Sequence, residues 1–341
     1  MTLEILGVSV LWLFLFGYVI LASIDFGAGF FNAYGLLTGN EHILSQLITR
    51  YLNPVWEVTN VFLVFFFVGI IGFFPKTAYY YGTTLLVPVS IGLILLAIRG
   101  SYYAFTTYGG LKQKIFTYLY GLTGLFIPAS LSIVLTISEG RFVRMEETRP
   151  VLDYWLLFTS PLTWSIVVLS LTAVLYISAV FLTWYANQAN DLPALELLRK
   201  YALIWALPLL ITAAGIIVEL KNHNPEHFNR LVNLWWMFGL SLLFFIGTVF
   251  FIWKRRSYKM AFWLLVSQFF LAFFAYGISH YPFLLYPHLS IYDSFTNQSM
   301  AISLVVVFIL GLGVLIPSIY LLLKLFLFNQ KYIQGKQNDH A

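Results

Sequence analysis

The chain has 341 residues, 60% hydrophobic, 19% aromatic and only 10% charged, with a net charge of +5. Soluble domains average about 25% charged residues, and the mean hydropathy here is +0.84, so too little polar surface remains to coat a water-soluble particle of this size. With no cysteine, thiolate-ligated iron–sulfur clusters, thiolate-held haem and cysteine nucleophiles are excluded for this chain.

A membrane span needs about 20 apolar residues at 1.5 Å each. In chain order, the apolar stretches predict nine helices, at 3–24, 54–74, 79–104, 115–137, 161–187, 200–220, 231–253, 260–280 and 300–328. The expected fold is all-α: a polytopic integral membrane protein whose single helical bundle fills residues 1–330, followed by a polar cytoplasmic tail at 331–341. The first stretch carries Glu4 and no preceding Lys or Arg, unlike a secretory signal, and is expected to stay as a helix. It remains apolar past Asp25 to about residue 37, and Gly27, Gly29 and Gly35 leave open whether the helix breaks there. Asn53 suits a cap and Pro54 a first helical position, so the second helix is expected to start there. Tyr79, Tyr80 and Tyr81, Tyr102 and Tyr103, Trp235 and Trp236, and Trp253 fall where helix ends should meet headgroups. Pro88, Pro128, Pro208 and Pro317 lie inside spans, where neighbouring helices re-satisfy the freed backbone groups.

Nine spans put the termini on opposite sides. With the C-terminus inside, inner segments carry 12 Lys and Arg and outer segments 6, the block at 254–259 weighing most. The positive-inside rule therefore places the N-terminus outside and the C-terminus in the cytoplasm. The basic balance reports orientation and anionic lipid, and no nucleic-acid partner is implied. The longest loops, 138–160 and 281–299, then lie outside, and the mixed-sign run from Glu139 to Arg149 reads as a solvated face.

Three ionisable residues remain in or beside apolar stretches: Asp25, Glu57 and Arg99. A charge at a helix centre costs about 2.5–3.5 kcal/mol on insertion scales, so its retention points to use. The topology gathers all three in the cytoplasmic leaflet. Asp25 lies near the inner end of the first helix, and Glu57 in the first turn of the second. Arg99 lies about 30 Å along the third helix from residue 79. The helix dipole favours Glu57 as an anion, whereas Asp25 near a helix C-terminus needs a proton or a cation beside it. An Asp25–Arg99 contact is therefore expected, with Glu57 as a titratable group open to the cytoplasm. Carboxylates entering a membrane from one side suit a proton-uptake path. The bland alternatives stay open: an interfacial Glu57 in water, an Arg99 snorkelling to headgroups, and an Asp25 that caps a helix break.

The histidines at 42, 223, 227, 280, 288 and 340 all fall in loops, tails or extreme helix ends. A bis-histidine haem site wants imidazoles on facing helices within the membrane, and no such pair is available. His223 and His227 are four apart, but Pro225 lies between them, so a solvated loop is expected there and not a helical metal pair. Met237 is expected to pack and not to ligate. No phosphate-binding loop, dinucleotide fingerprint or catalytic triad is visible.

Several stretches resemble subunit II of cytochrome bd-type quinol oxidases. Ser23-Ile24-Asp25-Phe26-Gly27-Ala28-Gly29 is similar to the family's G-F-D-F-G-V-G, and Pro54-Val55-Trp56-Glu57-Val58-Thr59-Asn60 to its P-x-W-D-x-N. Arg99-Gly100 matches an arginine–glycine at the end of the third helix, and Leu289-Ser290-Ile291-Tyr292-Asp293-Ser294 resembles L-T-I-Y-N-A. The length and the nine spans also match, so the resemblance covers essentially the whole chain. It departs at Glu57 (usually Asp), Thr59 (usually Asn), Asn60 (usually Gln or Glu) and Phe62 (often Trp). Tyr103-Ala104-Phe105-Thr106 stands where the family has F-E-F-R, which puts in doubt any proton route through that second acidic residue.

The resemblance implies a multi-pass subunit of a bacterial cell-membrane complex that oxidises quinol and reduces dioxygen to water. It implies a larger subunit I carrying the b- and d-type haems and the quinol site, and a small single-span accessory peptide. No cofactor, metal or redox-catalytic residue is implied in this chain alone. Glu57 takes the position of a family carboxylate associated with proton entry, and Asp25 is the second proton-path candidate. Arg99, Asn60 and Trp56 are supporting contacts. The other readings are a proton-coupled secondary transporter, which should show inverted repeats with matching broken helices, and a purely architectural anchor.

Overall fold

The computed structural model describes residues 2–108, 114–146, 149–322, 324, 325 and 329, without the side chains of 51–58 and 103–108. The expected cytoplasmic tail, 331–341, lies outside the described residues. Among the described residues, thirteen helices and two short hairpins follow in order. The first five helices are α1 (Leu3–Leu37), α2 (Glu41–Phe73), α3 (Pro75–Thr84), α4 (Leu86–Tyr108) and α5 (Lys114–Ser138). A hairpin β1 (Val143–Glu146) and β2 (Arg149–Leu152) leads to α6 (Tyr154–Thr159), α7 (Pro161–Ala189), α8 (Leu192–His223), α9 (Pro225–Val232), α10 (Trp235–Trp253) and α11 (Tyr258–His280). A second hairpin, β3 (Phe283–Leu285) and β4 (Leu289–Ser290), precedes α12 (Ile291–Ser294) and α13 (Gln298–Leu322).

Among the described residues, seven helices are long and apolar enough to cross a membrane: α1, α5, α7, α8, α10, α11 and α13. The bent pair α2–α3 adds an eighth candidate, and α4 is apolar over the shorter stretch Leu86–Tyr102. The chain is an all-α, multi-pass membrane protein.

α1 is one helix of 35 residues and does not break at its glycines. Asp25 therefore lies twelve residues before its end, away from the C-terminal dipole expected to act on it. The glycines are contact points instead. A Cβ on Gly27 would stand 2.3 Å from Cβ of Ser178 in α7, and one on Gly121 of α5 would stand 2.4 Å from Cβ of Ala33. Helices in lipid lack a hydrophobic force between them and associate through close packing, so small residues mark their tightest contacts. Ser178 also donates from Oγ to the Ile24 carbonyl at 3.0 Å, tying α7 to α1 one residue before Asp25. α7 is buried along its C-terminal half, from Val174 to Ala186, and forms the centre of the bundle with α1.

α2 begins at Glu41, twelve residues before Asn53, so neither Asn53 nor Pro54 opens it. Residue 57 sits in its fifth turn, and the expected help from a first-turn dipole does not apply. α2 runs antiparallel to α1 in a register read from the glycines. Gly7 meets Phe73, Leu11 meets Gly69, Gly17 meets Phe62 and Gly35 meets Leu44. That register sets position 57 at the level of Ala22 and Ser23, within one turn of Asp25.

The third expected span, 79–104, divides. The chain turns by 118° between α2 and α3 at Phe74–Pro75. Ser294 of α12 accepts from both the backbone N–H (2.8 Å) and the hydroxyl (2.7 Å) of Thr77, which fixes α3 across the bundle end. Tyr79–Tyr81 thus belong to a separate short helix, and Tyr81 donates to the Leu284 carbonyl at 2.5 Å. The two long loops expected to lie outside pack with α3 into a cap. Leu85, Ile137, Phe142, Val143, Leu152, Leu157, Leu285 and Leu289 are all buried in it.

Gly27→Val should overpack the α1–α7 contact and cost about 1–3 kcal/mol, read as a lower melting temperature of the purified protein. Gly239→Ala, where nothing lies within 4 Å, should stay within about 0.5 kcal/mol of wild type.

Candidate functional site

Asp25 of α1 and Arg99 of α4 meet in the middle of the bundle at 2% and 0% exposure. Arg99 donates from Nε to Asp25 Oδ2 at 3.0 Å, from Nη2 to the Asp25 carbonyl at 2.8 Å, and from Nη1 to the Tyr120 carbonyl at 2.7 Å. Tyr120 of α5 donates its hydroxyl to Asp25 Oδ1 at 3.0 Å, and the guanidinium lies 3.5 Å from the centroid of the same ring. Each edge of the guanidinium and each carboxylate oxygen is thus occupied. Removing one partner of such a pair would leave an uncompensated buried charge, which costs about 3–5 kcal/mol.

Local sequence makes room for this. A Cβ on Gly29 would stand 2.7 Å from the Tyr120 ring and 3.0 Å from Arg99 Nη2, and one on Gly124 would stand 2.4 Å from the Phe26 carbonyl oxygen. Glycine at both positions lets α5 approach α1 closely enough for Tyr120 and Arg99 to reach Asp25. An Arg99 snorkelling to headgroups and an Asp25 at a helix break do not fit this arrangement.

Of the other sequence-predicted positions, the side chains of Glu57 and Trp56 lie outside the described residues. Asn60, one turn further along α2, is half-buried and takes part in an interaction. Thr59 beside it is buried.

A second polar cluster lies at the opposite end of α5, beneath the cap. Gly140, at φ +83°, ends α5 in a conformation that favours glycine, and a Cβ there would stand 2.4 Å from the Tyr286 carbonyl oxygen. The preceding Glu139 is 1% exposed. His227 Nδ1 lies 2.9 Å from its Oε2, Asn224 Nδ2 donates to Oε2 at 3.2 Å, and the Tyr276 hydroxyl donates to Oε1 at 2.5 Å. Burial pushes the Glu139 carboxyl up, but the hydrogen bond from His227, the field of His280 and the Tyr276 hydroxyl outweigh it and hold the group below the usual carboxylate range.

This cluster corrects the expectation of a solvated outer face. Pro225 does prevent one continuous helix through His223 and His227. It does so as the first residue of α9, where Asn224 accepts from the His227 backbone N–H at 3.1 Å. His227 is thereby turned inward and fully buried. His223, half-buried at the end of α8, lies 3.2 Å through Nε2 from the Gly140 carbonyl and stacks on Phe142. The signals available in the sequence were a carboxylate directly after an apolar span, a histidine closing one, and the Asn-Pro pair that starts a helix.

Arg99→Leu should lower the melting temperature of the purified protein by stranding Asp25, equivalent to about 3–5 kcal/mol. Adding Asp25→Asn should recover part of that loss, whereas simple additivity of the two changes would mean that no coupling exists between them.

The comparisons agree over the full length. The family model described as cytochrome bd terminal oxidase subunit II matches residues 3–326. A Bacillus subtilis (strain 168) protein named "Putative cytochrome bd menaquinol oxidase subunit II" is 30% identical over 342 residues, covering 98% of each chain. A chain in the structure of bd oxidase from Geobacillus thermodenitrificans is 63% identical, with a TM-score of 0.85 over 96% of this chain and all of that one. The membership displaces the transporter reading and implies a partner subunit I, and a complex that uses haems and quinol. This chain belongs to the subunit II family of cytochrome bd-type quinol oxidases, as a multi-pass bacterial membrane subunit of an oxidoreductase complex.

Proposed function

We propose that this chain is the haem-free partner of a haem-bearing subunit I, inserted with its N-terminus outside, and that it helps supply protons from the cytoplasm for dioxygen reduction. The observation that carries the proton role is the α1–α2 register, which sets position 57 within one turn of the buried Asp25–Arg99 pair. Of the two proton-path candidates, Glu57 is the entry group. Asp25 has both oxygens engaged and acts as a fixed neighbour whose charge is matched by Arg99. Asn60 and Trp56, on the same helix, flank the entry. Nine spans, counting α2–α3 as one and α4 by its apolar stretch Leu86–Tyr102, suit the proposed insertion, and the small single-span accessory peptide belongs to this reading.

The haem-free reading is supported by where the imidazoles lie. Among the described residues, His227 and His280 sit in one cluster around Glu139, and His223 packs beside it. His42 and His288 are exposed. None of these faces another across the middle of the bundle. Subunit I would then hold the b- and d-type haems and the quinol site. The Bacillus subtilis relative carries menaquinol in its name, and menaquinol is the quinol proposed for this complex.

Glu57→Gln should lower oxygen consumption by about 100-fold, the low end of what loss of a proton-transferring group costs, with haem content per complex intact. Equal turnover across the pH range would reject the proton role. Reduced-minus-oxidised spectra should show haem bands for the complex and none for this chain expressed alone; bands from the chain alone would reject the haem-free assignment.

A further inference from the structure

The Glu139 cluster has no place in the proton-entry reading, because it lies toward the N-terminal end of α1 while Asp25 lies further along. Trp12 of α1 stacks on Tyr276, a partner of Glu139, and residues 12 and 25 are about 20 Å apart along the helix. Its hydrogen-bond accounting is incomplete in a specific way. Ser279 donates its hydroxyl to the Tyr276 carbonyl at 2.8 Å. The Ser279 oxygen also lies 2.7 Å from His227 Nε2, and its single proton can serve either neighbour. His227 Nδ1 in turn faces both Glu139 oxygens, at 3.0 and 2.9 Å. A proton on Nδ1 satisfies that contact, and a metal ion set between imidazole and carboxylate would satisfy it as well. Beside them His280 is 8% exposed, and both of its ring nitrogens are buried with no hydrogen-bond partner. Its Nδ1 lies 3.7 Å from Glu139 Oε1, beyond hydrogen-bond distance.

We propose that Glu139, His227 and His280 form a site for a zinc-type divalent transition-metal ion at the outer end of the bundle. One donor atom from each residue lies within 4.8 Å of the others. Ligands around tetrahedral zinc stand about 3.4 Å apart, so adjustments of about 1 Å complete the set. Two imidazoles and one carboxylate are a zinc donor set, with a fourth position left for water. The ion takes the place of the proton between His227 and Glu139, and the ligating imidazole carries its proton on Nε2, where Ser279 Oγ accepts it. Support around the ligands is already present: Ser279 is placed to accept from His227 Nε2, while Asn224 and Tyr276 hold the carboxylate. Arg230 is near enough for its charge to act on His280. Two imidazole nitrogens among three ligands favour zinc over calcium or magnesium, which take oxygen donors.

The test uses the purified oxidase complex, stripped with chelator and then titrated with Zn²⁺, with zinc per haem read by elemental analysis. Wild type should take up one chelator-exchangeable zinc that His280→Ala and His280→Gln weaken by more than about 100-fold. Haem content, measured in parallel, reports assembly. Zinc K-edge spectra of the wild-type complex decide the matter even if a variant fails to assemble, and should show imidazole nitrogens and an oxygen at about 2.0–2.1 Å. Absence of stoichiometric zinc, zinc without imidazole ligands, or equal affinity in an assembled His280 variant would each overturn the site.

Discussion

A guanidinium and a carboxylate buried together in the interior of a membrane bundle dictate much of the arrangement around them. Arg99 cannot shed its proton, and Asp25 cannot reach water at 2% exposure. Each needs the other, and the remaining donors and acceptors need Tyr120. The three residues come from α1, α4 and α5, so satisfying one charge pair fixes the relative depth of three helices. Exchanging such a pair for well-packed apolar residues is often neutral, since buried ion pairs gain little net energy over good packing. What the pair supplies is a strong penalty for any register in which one partner is stranded.

Close packing makes the pair possible. Gly29 and Gly124 open the space in which the guanidinium lies flat against Tyr120, and Gly27 with Ser178 brings α7 against the same stretch of α1. The motif that resembles the family at residues 23–29 therefore combines one charged group with the small residues that let its partners approach. α2 follows the same helix in antiparallel register and carries position 57 past Asp25. The shared level of these two acidic positions along the bundle is thus a product of helix packing, although they are 32 residues apart in sequence.

The parts legible in the sequence were those where cost is unambiguous. Charge in an apolar stretch singled out Asp25 and Arg99, and elimination of other cations brought them together. Helix limits were less legible. Pro54 suits a first helical position, yet α2 starts at Glu41, because the polar turns before Pro54 carry no hydropathy signal for a span. The third stretch looked continuous because composition does not reveal a 118° turn held by Ser294 and Thr77. The Glu139 cluster was illegible for a different reason. Its members come from the end of α5, the start of α9 and the end of α11, and each looks like an ordinary polar loop residue until the cap closes over them.

Family membership settles the kind of complex this chain serves, and the buried pair gives the physical frame for its part in it. The central claim is that Asp25 is an anion held by Arg99 inside the membrane. Infrared difference spectra of the carboxyl region, wild type minus Asp25→Asn, address it directly. The account predicts loss of a carboxylate band with no loss in the protonated-carboxyl region. Loss of a protonated-carboxyl band would show that Asp25 is neutral and would contradict the account.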